Sequence, residues 1–461
     1  MQARESPMSE FESQWQRTYV EQAGSGLPVF ADVDVVVVGG GAAGVAAAET
    51  LGRKGRSVLL IERYGFCGGG AVAGLSGTIC GMFLSTENEK AAPEQVIFGW
   101  AEKFRAALES RNGVSGPQRY GKTFTVTHDP LVWREVADGF LCEAGVQILY
   151  HSQVVGVLME GDAFGGVIVN SKSGLAQVRA KRIIDASGDG DVIHRAGFKT
   201  TKGNNGAIQN PTMIFRMGGI DVDRFSEYWG EDTISPQKVI DQLIAADPEG
   251  ARLPRKKIWI FPTTRPGELM VNATRILGFD GRDLDVTNPV DHSEGELVAR
   301  LQVREYADFL RRHIPGCEEG YVNDTGVEIG IRQTRTVTGI ATLTNDDVLG
   351  RAKSADAIAR SPWPIELHAG TKPKVEWLFD DTYEIPYGTL VPVKGENIIV
   401  AGRCLSAEHE ALASARVTAQ CFGYGHAAAL AADLSIKENI AIRDIQGADI
   451  RTLLNQEGAR L

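Results

Sequence analysis

A valine-rich run that ends in three glycines constrains the fold of this chain more than any other part of its sequence. The run is Asp32–Val38 (DVDVVVV), and so many β-branched residues are typical of a strand buried on both faces. The glycines end at Gly41, and the alanine-rich segment Ala42–Lys54 predicts a helix. The apolar segment Ser57–Glu62 predicts a second strand. This order predicts a right-handed crossover between parallel strands.

The glycine turn matches the pattern G-x-G-x-x-G over Gly39–Gly44 (GGGAAG). It follows a strand and opens a helix, and Glu62 ends the next strand, which is the context of a dinucleotide-binding fingerprint. Gly39 then permits the tight turn, Gly41 lets the backbone approach a pyrophosphate, and Gly44 allows close helix–strand packing. The pyrophosphate is expected at the helix N-terminus, with Glu62 accepting hydrogen bonds from an adenosine ribose.

Five further segments resemble one family of proteins. They are Glu62–Gly69 (ERYGFCGG), Ile183–Asp191 (IIDASGDGD), Ile329–Arg335 (IGIRQTR), Ile385–Pro392 (IPYGTLVP) and Asn397–Arg403 (NIIVAGR). In order and spacing they are similar to the FAD-dependent oxidoreductase family with the glutathione-reductase-type FAD-binding fold. Its members include thiazole-biosynthesis-like and fumarate-reductase-like flavoproteins. The resemblance covers roughly residues 30–435.

The resemblance implies an α/β chain with a three-layer FAD/NAD(P)-binding fold and a mixed α+β substrate domain. The pattern predicts a β-meander of three short strands that joins the parallel sheet. The uncharged segment Tyr64–Thr86 is interpreted as a buried loop around a ligand. The expected division is a polar lead-in at 1–30, FAD-binding domain at 31–204 and 396–435, substrate domain at 205–395, and a C-terminal tail at 436–461.

The resemblance also implies a set of cofactor contacts. The residues expected to bind FAD are Gly39, Gly41, Ala43, Gly44, Glu62, Arg63, Gly69, Val154, Asp185, Ala186, Ser187, Gly188, Asp191, Gly402, Arg403, Ser414 and Ala415. Ser414 and Ala415 begin an alanine-rich helix expected over Ser414–Asp433, and the N-terminus of this helix is expected to be directed at the flavin.

Two residues are the candidates for catalysis, His409 and Arg332. His409 follows Arg403 in a polar loop before the expected flavin-facing helix, so it can act as a general base, or it can only fix the loop. If Glu328–Thr344 is a strand, Arg332 and Arg335 point to opposite faces, and Arg332 is the one expected at the substrate. His292 and His368 remain alternative bases.

Charge and cysteine usage exclude several function classes. The 48 basic and 59 acidic residues give a net charge of −11, which disfavours nucleic acid and anionic membranes as partners. The six cysteines show neither a C-x-x-C pair nor the spacing of a metal site, so no metal is expected and a reducing cytoplasm fits. The polar N-terminus lacks the apolar region of a signal peptide, and no integral membrane segment is expected.

The predicted function is that of an FAD-dependent oxidoreductase which transfers a hydride between a small organic substrate and the flavin N5. FAD is expected to be bound non-covalently. No second G-x-G-x-x-G unit is present, so reoxidation is expected from oxygen, a quinone or a partner protein. Two alternatives remain: a flavin-binding protein whose nucleotide is structural or regulatory, and a thiazole-synthase-like enzyme that uses NAD. The sequence predicts no oligomeric state.

Overall fold

The computed structural model describes residues 26–204, 206–368 and 374–461. Most of the polar lead-in predicted at 1–30 therefore lies outside the described residues. The strands are β1 (Val29–Val38), β2 (Val58–Ile61), β3 (Thr78–Ile79), β4 (Val114–Tyr120), β5 (Thr123–His128), β6 (Gln147–Leu149), β7 (Gln153–Glu160), β8 (Ala163–Ser171), β9 (Gly174–Asp185), β10 (Thr200–Lys202), β11 (Phe215–Gly218), β12 (Trp259–Pro262), β13 (Leu269–Asn272), β14 (Tyr321–Thr325), β15 (Arg335–Val337), β16 (Ala357–Ser361), β17 (Ile365–Leu367), β18 (Lys374–Glu376), β19 (Tyr383–Pro386) and β20 (Ile398–Val400).

The helices alternate with these strands along the chain. They are α1 (Ala42–Arg53), α2 (Trp100–Glu109), α3 (Pro130–Glu143), α4 (Asp191–Arg195), α5 (Val222–Trp229), α6 (Gln237–Ala246), α7 (Pro289–His313), α8 (Asn345–Leu349), α9 (His409–Ala415), α10 (Thr418–Glu438) and α11 (Gly447–Gln456). Within the described ranges, no helix combines the length and the apolar character that crossing a membrane requires.

The main sheet is parallel at its centre and carries an antiparallel meander. Its strand order is β6-β2-β1-β9-β8-β7, in which β6, β2, β1 and β9 are parallel and β9, β8 and β7 form the meander. Along one edge of β9 the pairing partner changes. The first half, up to Arg179, pairs with β8, and the second half, from Ile183 to Asp185, pairs with the parallel strand β20. This arrangement confirms the predicted α/β class with a parallel sheet and a β-meander.

The strand predicted from the valine run is the buried strand β1. Val35, Val36 and Val37 are fully buried although successive side chains point to opposite faces of the sheet. Both faces are therefore covered, as the unbroken apolar run indicated. Helices α1 and α10 pack closely against each other, and α10 also contacts β9.

A second hydrophobic core lies outside the main sheet. The antiparallel sheet β12-β13-β11-β14 packs with α5, α6 and α7, and its buried side chains belong to residues 213–329. Side chains further along, such as Val337, Ile365 and Leu412, pack in the first core with the main sheet. The domain limits at 204/205 and 395/396 remain a prediction, and 213–329 is the part with a core of its own.

Two predicted elements differ from the structure. The helix expected over Ser414–Asp433 is divided into α9 and α10, and the backbone is extended at Val417. The division follows from a tertiary contact, because the N–H of Ala419 donates to the carbonyl oxygen of Cys80 at 3.2 Å. The condition that Glu328–Thr344 is a strand is not met, since only Arg335–Val337 forms a strand there, so the argument from opposite strand faces does not apply to Arg332.

The contact between α1 and α10 depends on Gly425. A Cβ at this position would lie 2.0 Å from the carbonyl oxygen of Ala43, whereas a Cβ at Gly423 of the same helix would meet the Cβ of Ala359 at 3.5 Å. We expect Gly425→Ala to lower the free energy of unfolding by about 1–3 kcal/mol through overpacking.

Gly423→Ala is the matched control for this prediction, because both substitutions give the same gain in helix propensity, about 1 kcal/mol. Thermal and urea unfolding of the two variants measure the difference. Equal stability of the two variants would contradict the close packing at Gly425.

Candidate active site

A deep cavity lies between the carboxyl ends of the parallel strands and the second core. The strands β1, β2, β9 and β20 end at its wall, where Val38, Ile61, Ala186 and Gly402 line it. Binding at the carboxyl ends of parallel strands is the general rule for open α/β sheets. On the opposite side the wall comes from the second core, for example at Asn272.

The glycine turn presents bare backbone to this cavity. Gly39 has a φ of +98°, and a Cβ on it would lie 2.5 Å from the carbonyl oxygen of Ala186. A Cβ on Gly44 would lie 1.8 Å from the carbonyl oxygen of Gly39, so Gly44 lets α1 pack on β1 and does not itself line the cavity. Gly41 does line it, and a Cβ there would have only the Cα of Gly69 within 4 Å, at 3.9 Å. The turn therefore has the close backbone approach that a pyrophosphate requires.

Glu62 and Arg63 lie at the cavity wall where β2 ends. The Glu62 carboxylate accepts hydrogen bonds from the N–H of Gly40 at 2.6 Å and of Tyr64 at 2.8 Å. Burial raises the pKa of Glu62, whose exposed fraction is 5%. Arg63 donates to Glu328 at 2.6 Å, so a residue close to the second core holds its charge.

The loop after β9 contributes all but one of its expected residues to the cavity wall. Ala186, Ser187, Gly188 and Asp191 line the cavity, as do Ala43, Gly69 and Val154 from other parts of the chain. Asp185 does not, because its carboxylate accepts hydrogen bonds from Ser187 at 3.1 Å and from the first turn of α4, at Val192, at 2.9 Å. Asp185 thus anchors the loop instead of lining the cavity.

Asp189 is the carboxylate of this loop that the sequence reasoning missed. It lines the cavity and accepts hydrogen bonds from Arg403 at 2.7 Å and from the Thr334 hydroxyl at 2.7 Å. One short motif contains three aspartates, Asp185, Asp189 and Asp191. Only the turn after β9 decides which of them face the cavity.

In this part of the chain the helix that begins at the cavity wall is α10, because a new helix starts after Arg416. Gly402, Arg403, Arg416, Val417 and Thr418 line the cavity. Ser414 and Ala415 were expected in this position, but they lie in the last turn of α9 and do not line the cavity. The Ser414 hydroxyl instead donates to the carbonyl oxygen of Trp363 at 2.5 Å.

The structure separates the two catalytic candidates. Arg332 lines the cavity and donates to the carbonyl oxygen of Asn210 at 2.7 Å. His409 is the first residue of α9 and does not line the cavity, and burial lowers its pKa. The histidine that does line the cavity is His368, which the sequence left as an alternative.

The part of the cavity around Glu366 and its neighbours is here called the inner chamber. It is lined by Tyr120, Trp259, Arg332, Trp363, Glu366, His368 and Arg416. These residues come from five separate segments, so no local motif could have identified them together. The weak signal in the sequence was the number of tryptophans between 205 and 390.

Glu366 is the centre of the hydrogen bonding in the inner chamber. Its Oε1 accepts from the Tyr120 hydroxyl at 3.0 Å and lies 3.4 Å from Nε2 of His368. Burial alone would raise the pKa of Glu366, but the hydrogen bond with His368 and the charges of Arg416 and Arg255 outweigh burial and keep this pKa below its usual range. Burial and the charge of Arg332 lower the pKa of His368. At neutral pH the chamber thus holds an ionised Glu366 beside a neutral His368.

Fold and cavity together are those of a dinucleotide-binding protein with a chamber beside the nucleotide site. The sequence model described as FAD dependent oxidoreductase matches residues 34–454. The chain therefore belongs to the FAD-dependent oxidoreductase family, which confirms the predicted family and supports FAD as its cofactor. The bare backbone at Gly41 and the carboxylate of Glu62 fit an FAD molecule, whose pyrophosphate and ribose need such contacts.

Curated relatives resemble part of the chain. A thiamine thiazole synthase of Aeropyrum pernix is 28% identical over 173 residues, which is 35% of this chain and 57% of the relative. A digeranylgeranylglycerophospholipid reductase 2 of Methanothermobacter thermautotrophicus is 29% identical over 200 residues, covering 41% of this chain and 48% of the relative. The chain thus matches only about half the length of each relative.

Solved structures resemble nearly the whole chain at low identity. A geranylgeranyl bacteriochlorophyll reductase-like protein from Thermoplasma acidophilum has a TM-score of 0.47 and 17% identity, covering 93% of this chain and 85% of its own. A p-nitrophenol 4-monooxygenase from Pseudomonas putida has a TM-score of 0.47 and 14% identity, covering 93% and 87%.

Glu62 is the residue whose replacement tests the nucleotide end of the cavity. We expect Glu62→Arg to lose most of its FAD, because a buried cation would face the N–H donors of Gly40 and Tyr64. The measurement is the ratio of flavin to protein in the purified variant. Glu396→Arg, on an exposed loop away from the cavity, is the control and should keep its FAD. Full flavin content in Glu62→Arg would contradict the assignment.

Proposed function

We propose that this protein transfers a hydride between a small organic substrate and FAD, with the substrate in the inner chamber. The observation that supports this proposal is the continuity of the cavity from the glycine turn to the inner chamber. A nucleotide at the glycine turn and a substrate in the inner chamber would share one cavity. When bound, FAD supplies a two-electron acceptor whose N5 takes or returns a hydride.

The residues at the nucleotide end would hold and polarise the cofactor. Gly41 and the N-terminus of α1 would bind the pyrophosphate, and Glu62 would accept hydrogen bonds from the ribose. The N-terminus of α10 carries the positive end of a helix dipole, and Val417 and Thr418 place it at the cavity wall. Such a dipole stabilises negative charge that develops nearby during the reaction.

His368 is the residue we propose for proton transfer. In the oxidation direction, the hydride removes two electrons and one hydrogen from a substrate carbon, and a proton must leave the adjacent O–H or N–H group. A neutral His368 can accept that proton. Glu366 favours the tautomer with hydrogen on Nε2, which leaves the lone pair on Nδ1 for the proton. In the reduction direction the same atom returns the proton.

The acceptor that reoxidises the flavin is proposed to be oxygen, a quinone or a partner protein. The sequence carries a single G-x-G-x-x-G turn, at Gly39–Gly44, so it offers no second dinucleotide unit of this kind for NAD(P)H.

Rapid flavin reduction by a panel of small hydroxy acids, amino acids and amines tests the proposed function. With the best substrate, we expect His368→Gln to slow anaerobic flavin reduction by about 10²- to 10⁴-fold at unchanged FAD content, since that is the usual contribution of a general base.

His409→Gln is the matched control, because His409 does not line the cavity, and it should reduce its flavin at the normal rate. A slow His409→Gln with a normal His368→Gln would reverse the assignment. A flavin that no substrate bleaches would favour a structural or regulatory nucleotide.

We also propose that FAD is held without a covalent bond. Cys80 and Cys421 line the cavity, and burial raises the pKa of their thiols to about 11 and about 12. Both thiols therefore stay protonated at neutral pH and are poor nucleophiles.

Acid precipitation of the purified protein tests this proposal. The yellow colour should remain in the supernatant, as free flavin. Colour that stays with the pellet would indicate a covalent link.

A further inference from the structure

Three arginine side chains surround the inner chamber. Arg332 and Arg416 line it, and Arg255 lies directly behind its wall, with its Cζ 4.0 Å from the centre of the Trp259 ring. The exposed fractions of Arg332 and Arg255 are only 9% and 4%. Guanidinium groups are seldom buried without a partner of opposite charge.

These three guanidinium groups have neutral partners. Arg332 donates to the carbonyl oxygen of Asn210 at 2.7 Å, Arg416 to the amide oxygen of Gln209 at 3.2 Å, and Arg255 to the amide oxygen of Asn272 at 3.0 Å. Within residues 26–204, 206–368 and 374–461, none of the three forms a salt bridge with a carboxylate, in contrast to Arg216, Arg335 and Arg403. In addition, Nη2 of Arg255 and Nε of Arg416 are buried without any hydrogen-bond partner in the same ranges.

The charges in and around the inner chamber do not balance. Glu366 is its one lining carboxylate among the described residues, and it already binds the Tyr120 hydroxyl. The single negative charge of Glu366 is set against the positive charges of the three arginines, which leaves an excess of two positive charges. Burial and the charges of Arg255 and Arg416 lower the pKa of Arg332, and burial lowers the pKa of Arg255 to about 10.

Such an arrangement destabilises the empty protein, because buried like charges repel each other and lack water. Strongly perturbed groups that face a cavity are typical of functional sites. An anion in the chamber would compensate the charges and give the unpaired Nε–H of Arg416, which lines the chamber, an acceptor.

The remaining walls are aromatic. The rings of Tyr120 and Trp259 are 6.0 Å apart with an interplanar angle of 24°, and those of Tyr120 and Trp363 are 5.3 Å apart. Phe261 also lines the cavity. Ring faces of this kind favour a flat apolar body over a flexible chain.

We propose that the inner chamber binds an organic dianion built on an aromatic frame, with its acidic groups at Arg332 and Arg416 and its ring against Trp259 and Trp363. The statement that this dianion is the substrate rests on the proposed function. Binding of the dianion itself does not depend on turnover.

Calorimetric titration of the FAD-loaded protein tests the class of ligand. The probes are benzene-1,3-dicarboxylate, its neutral diamide, and pentanedioate, an aliphatic diacid with the same number of carbons between its carboxylates. The aromatic diacid should bind about 100-fold more tightly than the diamide, the effect of two charge-assisted contacts. It should bind about 10-fold more tightly than pentanedioate because of ring stacking.

Equal affinity for the diacid and the diamide, or no binding of any diacid, would overturn the inference. Equal affinity for the two diacids would overturn the aromatic frame. Titration needs no flavin reduction, so a failed redox assay leaves this result intact, and failed diacid binding leaves the flavin-reduction result intact.

Variants of the arginines assign the contact. Arg332→Gln and Arg416→Gln should each weaken binding of benzene-1,3-dicarboxylate by roughly 10- to 100-fold, and Arg332→Lys should weaken it less because the charge remains. Arg182→Gln is the control, because Arg182 pairs with Ser435 away from the cavity. An affinity unchanged in both glutamine variants would contradict the proposed contacts.

Thermal stability gives a second readout that distinguishes a binding role from a structural one. Without ligand, Arg332→Gln should melt at a higher temperature than the parent protein, since it removes one of three mutually repelling charges. Added diacid should raise the melting temperature of the parent protein and not that of the variant. A variant that melts lower and still responds to diacid would overturn the proposal.

Discussion

The structure depends on a contact between bare backbone segments at the start of α1. A Cβ on Gly44 would lie 1.8 Å from the carbonyl oxygen of Gly39, and a Cβ on Gly425 would lie 2.0 Å from that of Ala43. The strand β1 and the helices α1 and α10 can therefore approach each other until their backbones touch. Because β1 also pairs with β9, this contact fixes the positions of the strand ends at the cavity, those of β1, β2, β9 and β20. It also fixes where the helices α1 and α10 begin. The cavity is the space that these ends leave.

The two ends of the cavity have opposite electrostatic character, although the chain as a whole has a net charge of −11. The nucleotide end presents backbone and the carboxylate of Glu62, which suit hydroxyl and phosphate groups. The inner chamber presents Arg332 and Arg416 with Arg255 behind them, which suit an anion. Burial makes these few charges decisive, because the surface charges are screened by water and salt and the chamber charges are not.

Local patterns predicted the central sheet well. The structure contains the expected strands around Val33–Val38, Leu59 and Ile184 and the expected helix after Gly41. Each of them is encoded by the pattern of apolar residues within one short segment. The same patterns failed at Val417, where the helix breaks. The contact responsible joins Ala419 to Cys80, which are distant in sequence, and no local pattern carries that information.

The sequence alone establishes the family and the glycine turn. It also indicated Gly41, Glu62 and Gly402, which line the cavity in the structure, since strand ends and turns are local features. Tertiary structure alone decides the inner chamber. It brings Tyr120, Trp259, Trp363, Glu366 and His368 together and leaves His409 outside. The physical reason is that a helix or strand follows from neighbouring residues, whereas the charge and shape of a chamber follow from packing between segments hundreds of residues apart.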